Sequence, residues 1–256
     1  METTLMPTGR ILQAYATEAR YETLRMLRSP GAAIPFLLLP VPIYLFFGVM
    51  LAAPATVKNP AVANYLFSGF LVFSVMTPAL FGVGCTLAVE RDAGFLKLKR
   101  ALPAPGGAYL LAKMLTAVAF AALATLSVLA AGLLAGKLTL SAVQLAVIMA
   151  IMILGAIPFA AIGLLVGTYA SGSAAPAFVN IVFLPMLYLS GLFIPLPKSL
   201  EKFTVIWPAF HLNQTALGAA GVTEFSFIPP LMSAAALVGV TVLFAGLAVR
   251  RLARVG

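Results

Sequence analysis

Six long apolar windows constrain the fold of this chain more than any other feature of its sequence. A transmembrane helix needs about 20 predominantly apolar residues, and the windows reach that length at 31–53, 65–89, 108–136, 142–169, 174–194 and 229–249. The chain is 62% hydrophobic, whereas soluble domains average roughly 45–50% apolar residues. None of the windows alternates in the manner of an outer-membrane β-barrel. We therefore predict an all-α polytopic membrane protein, with residues 1–256 forming a single domain that has six transmembrane helices.

Lysine and arginine are unevenly distributed between alternate loops, which predicts the orientation of the chain, because cytoplasmic loops carry an excess of both. With the N-terminus inside, the inner side carries Arg10, Arg20, Arg25, Arg28, Arg91, Lys97, Lys99, Arg100, Arg250, Arg251 and Arg254, and the outer side carries Lys58, Lys137, Lys198 and Lys202. We expect both termini in the cytoplasm, and Lys113 to extend its ammonium to the inner interface. Because topology accounts for the net charge of +9, we expect no nucleic-acid partner.

Residues 10–28 precede the first window and have an amphipathic pattern at the helical period. The apolar half carries Ile11, Leu12, Tyr15, Ala16, Ala19, Met26 and Leu27, and the polar half carries Arg10, Gln13, Thr17, Arg20, Arg25 and Arg28. Glu22 and Leu24 break this pattern. We predict an interfacial helix whose arginines face acidic membrane lipid or a protein partner. A helix that only anchors the chain to the surface remains an alternative.

A densely charged loop, residues 90–105, separates the second and third windows. Six of the eleven residues from Glu90 to Arg100 are ionisable, so this segment cannot lie in hydrocarbon. Its excess of Lys and Arg is typical of the cytosolic face. Phe95, Leu96 and Leu98 stand among the charges, which indicates that a partner docks on this loop.

Residues 195–227, between the fifth and sixth windows, are too polar for another span and too apolar for a solvated loop. Two short helices are predicted, at 198–206 and 210–219, separated by Trp207 and Pro208. We expect them to re-enter the outer leaflet and cap a central pathway, because irregular backbone at that depth needs shielding by protein or by a water-lined cavity. The residues assigned to this exit cap are Trp207, Pro208, Phe210 and His211. An ordinary interfacial loop is the alternative.

No enzyme or metal motif has the spacing that its chemistry requires. Residues 132–138 look like part of a phosphate-binding loop, but Leu138 stands where Ser or Thr is needed. No His, Cys or carboxylate cluster has metal-ligand spacing. We therefore expect no catalytic residue, no metal site and no nucleotide site in this chain. One alternative remains open, an intramembrane serine hydrolase that uses Ser171, Ser173 or Ser190 with His211.

The acidic residues also bear on how transport could be powered. All seven lie outside the six windows, whereas ion-driven carriers commonly hold ionisable groups at mid-membrane. Proton coupling is therefore disfavoured, and if this chain transports a cargo, we expect the energy to enter from a partner at the charged loop.

Two segments resemble the permease subunits of type-2 ATP-binding-cassette exporters. The stretch from Glu90 to Pro105, read as E-R-D-A-G-F-L-K-L-K-R-A-L-P-A-P, is similar to the family pattern E-R-E-x-G-x-L-K-R-L-R-x-T-P-x-P. Ser190–Pro195, with the later Pro208 and His211, is similar to the family's S-G-L-F-F-P and P-x-x-H. The order of the motifs and the predicted topology extend this resemblance over essentially the whole chain.

The resemblance implies a homodimeric permease in a bacterial inner membrane that binds two copies of a separate ATPase. ATP and Mg would then be bound by that partner, and no cofactor by this chain. Carried over to this sequence, the ATPase-docking residues are Glu90, Arg91, Asp92, Gly94, Phe95 and Leu96, with Arg20, Glu22 and Arg25. The implied function is export of amphipathic or hydrophobic cargo, such as a drug, a lipid or a peptide. A transmembrane coupling subunit of an ATP-driven importer remains the alternative.

Overall fold

A computed structural model describes residues 8–101, 107–193, 202–222 and 224–255, and these residues are helical with short connections. The helices are α1 (Thr8–Leu27), α2 (Pro30–Leu38), α3 (Pro40–Ile43), α4 (Ala53–Lys58), α5 (Pro60–Thr77), α6 (Val83–Asp92), α7 (Phe95–Ala101), α8 (Ala108–Ala135), α9 (Ala142–Leu154), α10 (Ala156–Tyr169), α11 (Ala175–Leu189), α12 (Pro208–Ala219) and α13 (Pro230–Val255). No β-strand occurs within these ranges. The predicted all-α fold is confirmed.

Five helical runs are long and apolar enough to cross a membrane, and they cover five of the six predicted windows. They are Pro30–Leu51, Pro60–Asp92, Ala108–Ala135, Ala142–Tyr169 and Pro230–Arg254. The remaining window, 174–194, contains α11, an apolar helix that ends at Leu189 and is shorter than the others. The chain is thus a polytopic membrane protein by the length and composition of its helices, and the sixth crossing stays a prediction.

Prolines and a glycine interrupt three of these runs without ending them. In the first run, π-helical turns at Tyr44–Leu51 follow α3, which itself begins at Pro40. In the second run, a π-helical turn at Pro78–Gly82 joins α5 to α6. Proline has no backbone N–H to donate, so the local hydrogen-bond pattern shifts at such positions. In the fourth run α9 and α10 meet at Gly155.

The run Pro60–Asp92 forms the centre of the bundle, and α10 packs directly against it. A Cβ atom on Gly167 would lie only 2.6 Å from the carbonyl oxygen of Gly84, and one on Gly163 would lie 2.8 Å from that of Ala79. The GxxxG spacing of Gly163 and Gly167 therefore brings the two backbones together, as such spacings do between membrane helices. Larger side chains at these positions would push the helices apart.

The predicted helix at 210–219 is present as α12, which begins two residues earlier at Pro208. Of the other predicted helix, 198–206, residues 202–204 are helical and 198–201 lie outside the described residues. The segment 195–227 is likewise described only from 202 onward, with residue 223 excepted. Phe210 and His211 are buried within the bundle. The re-entrant depth of this segment and its role as a cap stay predictions.

Candidate functional site

Helix α1 packs along the first half of α8, at the end of the bundle that also carries α7. The hydroxyl groups of Thr23 on α1 and Thr116 on α8 lie 3.0 Å apart. Met26 is buried in a small cluster with Ala33 and Phe120. The face of α1 that contacts α8 includes Glu22, the residue that breaks the amphipathic pattern of the sequence. We refer to this end of the bundle as the charged end.

Lys113 of α8 lies at the centre of the charged end and is only 1% exposed. Its ammonium donates to Glu22 Oε1 at 2.5 Å and to Glu90 Oε1 at 2.9 Å. A third bond, at 2.9 Å, goes to the hydroxyl of Thr86. All three ammonium donors are thus used. The expectation that Lys113 extends to the interface is wrong, because two buried carboxylates lie within reach inside the bundle.

The carboxylates of Glu22 and Glu90 are held by two further side chains. Glu90 Oε2 accepts from the hydroxyl of Tyr109 at 2.6 Å. Arg25 donates to Glu22 at 2.8 Å and also to Glu90. Two cations therefore face two anions, which satisfies the condition that buried charges be paired and hydrogen-bonded. We call Glu22, Arg25, Glu90, Tyr109 and Lys113 the ionic cluster.

The guanidinium of Arg25 is half exposed at the edge of the ionic cluster. Burial by itself lowers the pKa of Arg25, but attraction to Glu90 and Glu22 outweighs it and raises that pKa above its ordinary value. Arg25 is therefore charged at any physiological pH.

The charged loop predicted from the sequence is a helix, a turn and a second helix. Helix α6 continues through Glu90, Arg91 and Asp92, and Gly94 then turns the chain with φ of 76°. This left-handed conformation favours glycine, which has no Cβ to clash. Helix α7 starts at Phe95, and residues 102–106 lie outside the described part of the chain.

Helix α7 is attached by some of its side chains and leaves others free. Leu96 is buried, and Lys99 pairs with Glu18 of α1 and lies 4.5 Å over the ring of Tyr109. Phe95 and Leu98, by contrast, are 50% and 61% exposed. Residues three apart on a helix are neighbours on its surface. An exposed apolar pair therefore lies on a helix that Leu96 and Lys99 attach to the rest of the bundle.

Arg91 and Asp92 reach in another direction, to the end of α10. The Arg91 guanidinium donates to the carbonyl oxygens of Gly167 at 3.3 Å and Ala170 at 2.8 Å, and also to that of Thr168. Asp92 Oδ2 accepts from the backbone N–H of Gly172 at 2.7 Å. The side chains of α6 thus bind both the end of α10 and the connection to α11.

The nine residues predicted to dock an ATPase therefore occupy different environments. Glu22, Glu90 and Leu96 are buried, while Arg25 and Arg91 donate to groups inside the bundle. Arg20, Asp92 and Phe95 are exposed, and Gly94 is partly so. Contact of any of them with an ATPase stays a prediction.

Lys113, Tyr109, Thr86 and the pair Glu18–Lys99 were not singled out by sequence reasoning as site residues. The sequence does contain a signal for Lys113. It is a lysine inside an apolar window, and a carboxylate, Glu22, interrupts the amphipathic pattern of a preceding helix. An intramembrane ionisable residue usually has a partner.

The residues assigned to the exit cap lie at the start of α12. Trp207 precedes the helix, Pro208 opens it, and Phe210 and His211 are buried in its first turn. His211 Nε2 lies 2.8 Å from the carbonyl oxygen of Val205, so that nitrogen is the donor. On the same helix, Asn213 accepts from the hydroxyl of Ser68 at 2.5 Å.

The serines of the hydrolase alternative are not hydrogen-bonded to His211 in the described residues. Ser190 donates to the carbonyl oxygen of Met186 at 2.5 Å. Ser171 and Ser173 lie in the connection between α10 and α11. A nucleophile and its base need to be within hydrogen-bond reach, and among the described residues no hydrogen bond joins these serines to His211.

Comparisons with known proteins agree with the resemblance noted from the motifs. A family model described as ABC-2 type transporter matches residues 13–227, which run from α1 to the segment before α13. The chain is also 25% identical over 198 residues to "Putative transport permease YvfS" of Bacillus subtilis (strain 168). That alignment covers 76% of this chain and 80% of the relative. Because the family model matches well over half of its length, the chain belongs to the ABC-2 type transporter family.

Proposed function

We propose that this chain is the membrane-spanning subunit of an ATP-driven exporter, and that its ATPase docks on the exposed side of α7. Membership in the ABC-2 type transporter family implies an ATP-binding-cassette partner. The main support for this docking site is the exposed apolar pair Phe95 and Leu98. They lie on a helix whose other side chains are mostly charged or attached to the bundle.

The chemistry of this pair suits a protein contact. Energetically important interface residues are large apolar or aromatic side chains surrounded by polar groups, which exclude water when the partner binds. Phe95 and Leu98 supply the apolar centre, and Lys97, which lies between them in the chain, is exposed and adds a polar group beside it. Arg20, exposed on α1, adds a charge that can help to set the orientation of the partner.

The ionic cluster links the helices on which the proposed docking site is mounted. Through Lys113 and Arg25 it joins α1, α6 and α8, and Lys99 joins α7 to α1 through Glu18. In this proposal Glu22, Arg25 and Glu90 position the docking surface. A helix attached to several neighbours can transmit a displacement of the ATPase to the bundle, whereas a flexible loop would move without displacing the helices.

The assembly follows from the same reasoning. Two copies of this chain, each with one ATPase, would form the transporter, and ATP and Mg would be bound by the ATPase subunits. The runs Pro30–Leu51 and Pro230–Arg254 offer most of their surface to lipid or to a second copy, since each is only 17% buried over its apolar window. Cargo of amphipathic or hydrophobic character would pass along the dimer interface and leave beneath the α12 region.

The decisive experiment for this function uses the chain reconstituted in vesicles with its ATPase. ATP supplied only on the ATPase side should drive hydrophobic cargo, such as a fluorescent amphipathic dye, toward the opposite side. Movement of the dye toward the ATPase side would favour the importer alternative. Transport that continues with a catalytically inactive ATPase would contradict an ATP-driven mechanism altogether.

A further inference from the structure

We propose that Arg91 and Asp92 are positioning residues that join the docking helix to the α10–α11 connection, so that movement of α7 reaches α11. This inference rests on the proposed function, because it concerns how movement leaves the docking site. It gives the two residues a role inside the permease in place of direct contact with the ATPase.

The first support is the match between the Arg91 guanidinium and the end of α10. The last carbonyl groups of a helix have no partner within the helix and carry the negative end of its dipole. Arg91 donates to three oxygens in this region, those of Gly167, Thr168 and Ala170. A planar guanidinium can reach several acceptors at once, which fixes orientation as well as distance.

The second support is the carboxylate of Asp92. One of its oxygens accepts from the N–H of Gly172, beyond the end of α10, and the other accepts from Arg91 at 2.8 Å. The two neighbouring side chains therefore bind backbone groups both before and after the end of α10: Arg91 binds carbonyl oxygens and Asp92 binds an N–H. A single contact would let the segment rotate about it, whereas two contacts from adjacent residues restrict that rotation.

The third support is the close packing of the backbones beside these contacts. A Cβ on Gly172 would lie 3.1 Å from Cα of Val89, and one on Gly167 would lie 2.6 Å from the oxygen of Gly84. Little room remains for α6 to slide past the end of α10. Helix α11 begins at Ala175, only a few residues beyond Gly172, so a displacement of α6 is passed on through a short connection.

The environment of Arg91 argues against direct docking. Its side chain is only 17% exposed, and its N–H groups are directed at oxygens of this chain. Loss of Arg91 should therefore leave the affinity for the ATPase unchanged and reduce the transport obtained per ATP hydrolysed. Loss of Phe95 should instead weaken ATPase binding and leave the transport obtained per ATP hydrolysed unchanged.

A spectroscopic measurement tests the connection without any ATPase. Spin labels at Lys97→Cys and Ser173→Cys, both exposed, in a Cys85→Ser background, report the distance between α7 and the α10–α11 connection. We expect a narrow distribution in the parent and a broader one in Asp92→Ala. Asp92→Asn, which keeps an acceptor for Gly172, should restore most of the narrow distribution, and the control Arg254→Gln should not alter it. An unchanged distribution in Asp92→Ala overturns the inference.

A functional measurement separates coupling from docking in the reconstituted complex. For Arg91→Gln we expect ATPase affinity within about twofold of the parent and transport per ATP reduced about tenfold. The compact ammonium of Arg91→Lys reaches fewer carbonyl oxygens than a guanidinium does. Its transport per ATP should therefore lie between that of the parent and that of Arg91→Gln. If Arg91→Gln weakens ATPase binding about tenfold, the residue docks directly and the inference is wrong. If the parent chain itself binds no ATPase, the proposed function fails, while the spin-label result stands on its own.

Discussion

The ammonium of Lys113 on α8 lies 2.5 Å from the carboxylate of Glu22 on α1, and both side chains are buried. An N-terminal helix that the sequence places at the membrane surface is therefore fixed to the interior of the bundle by an ion pair. Glu90 and Arg25 extend this pair toward α7. Tyr109, which donates to Glu90, also lies beneath Lys99 of α7, so the ionic cluster contacts the proposed docking helix.

Replacement of Lys113 with Met should destabilise the protein by about 3–5 kcal/mol, because it leaves Glu22 and Glu90 buried with Arg25 as their remaining cation. Thermal unfolding in detergent measures the change. Lys137→Met, at an exposed position, is the matched control and should have little effect. Equal unfolding temperatures for the two variants would show that the ionic cluster does not stabilise the fold.

Tyr109→Phe should lower the free energy of unfolding by less, about 1–3 kcal/mol. It removes the 2.6 Å hydrogen bond to buried Glu90 but leaves the charges in place. The control is Tyr21→Phe, at an exposed site on α1. The same unfolding assay should rank Tyr109→Phe between Tyr21→Phe and Lys113→Met. A Tyr109→Phe variant as stable as the control would mean that this bond contributes nothing.

Single cysteines test the orientation, in a background where Cys85 is replaced by Ser. Cysteines at Lys137 and Lys202 should react with a membrane-impermeant thiol reagent added to intact cells, and a cysteine at Lys97 should not. All three positions are exposed in the folded chain, so protection of Lys97 would report the membrane and not burial. The opposite labelling pattern would place α7 outside the cell and remove the basis for ATPase docking there.

Purified chain without its partner should bind and hydrolyse no ATP, because the segment 132–138 lacks the Ser or Thr of a phosphate-binding loop. Calorimetric titration with ATP and Mg measures this directly. A saturable binding isotherm for the isolated chain would contradict the assignment of nucleotide chemistry to a separate ATPase.

Hydropathy and length predict most of the fold, because lipid demands long apolar helices and the sequence records them directly. Five of the six windows coincide with helical runs of sufficient length. The charged loop was less well predicted. Its charge predicts a position outside hydrocarbon, which stays a prediction, but Leu, Lys, Arg and Ala also favour helix, and α7 forms where a loop was expected.

The charged segments at this end of the bundle stand out in the sequence, but the contacts among their side chains do not. Glu22 and Lys113 are 91 positions apart, and no local pattern specifies such a pairing. The same holds for Arg91 and the carbonyl groups of α10, because backbone acceptors have no signature in sequence. Residues predicted to face a partner, such as Glu90, turned inward because a buried lysine required a counter-charge.

Association of the ATPase with Phe95→Ala tests the central claim most directly. The affinity for the ATPase, measured at matched salt in detergent, should fall by about 1–3 kcal/mol, while the fold is retained because Phe95 is half exposed. Leu134→Ala, an exposed leucine near the opposite end of α8, is the control and should bind as the parent does. A dissociation constant unchanged by Phe95→Ala would contradict the account and place docking elsewhere, with α1 as the next surface to test.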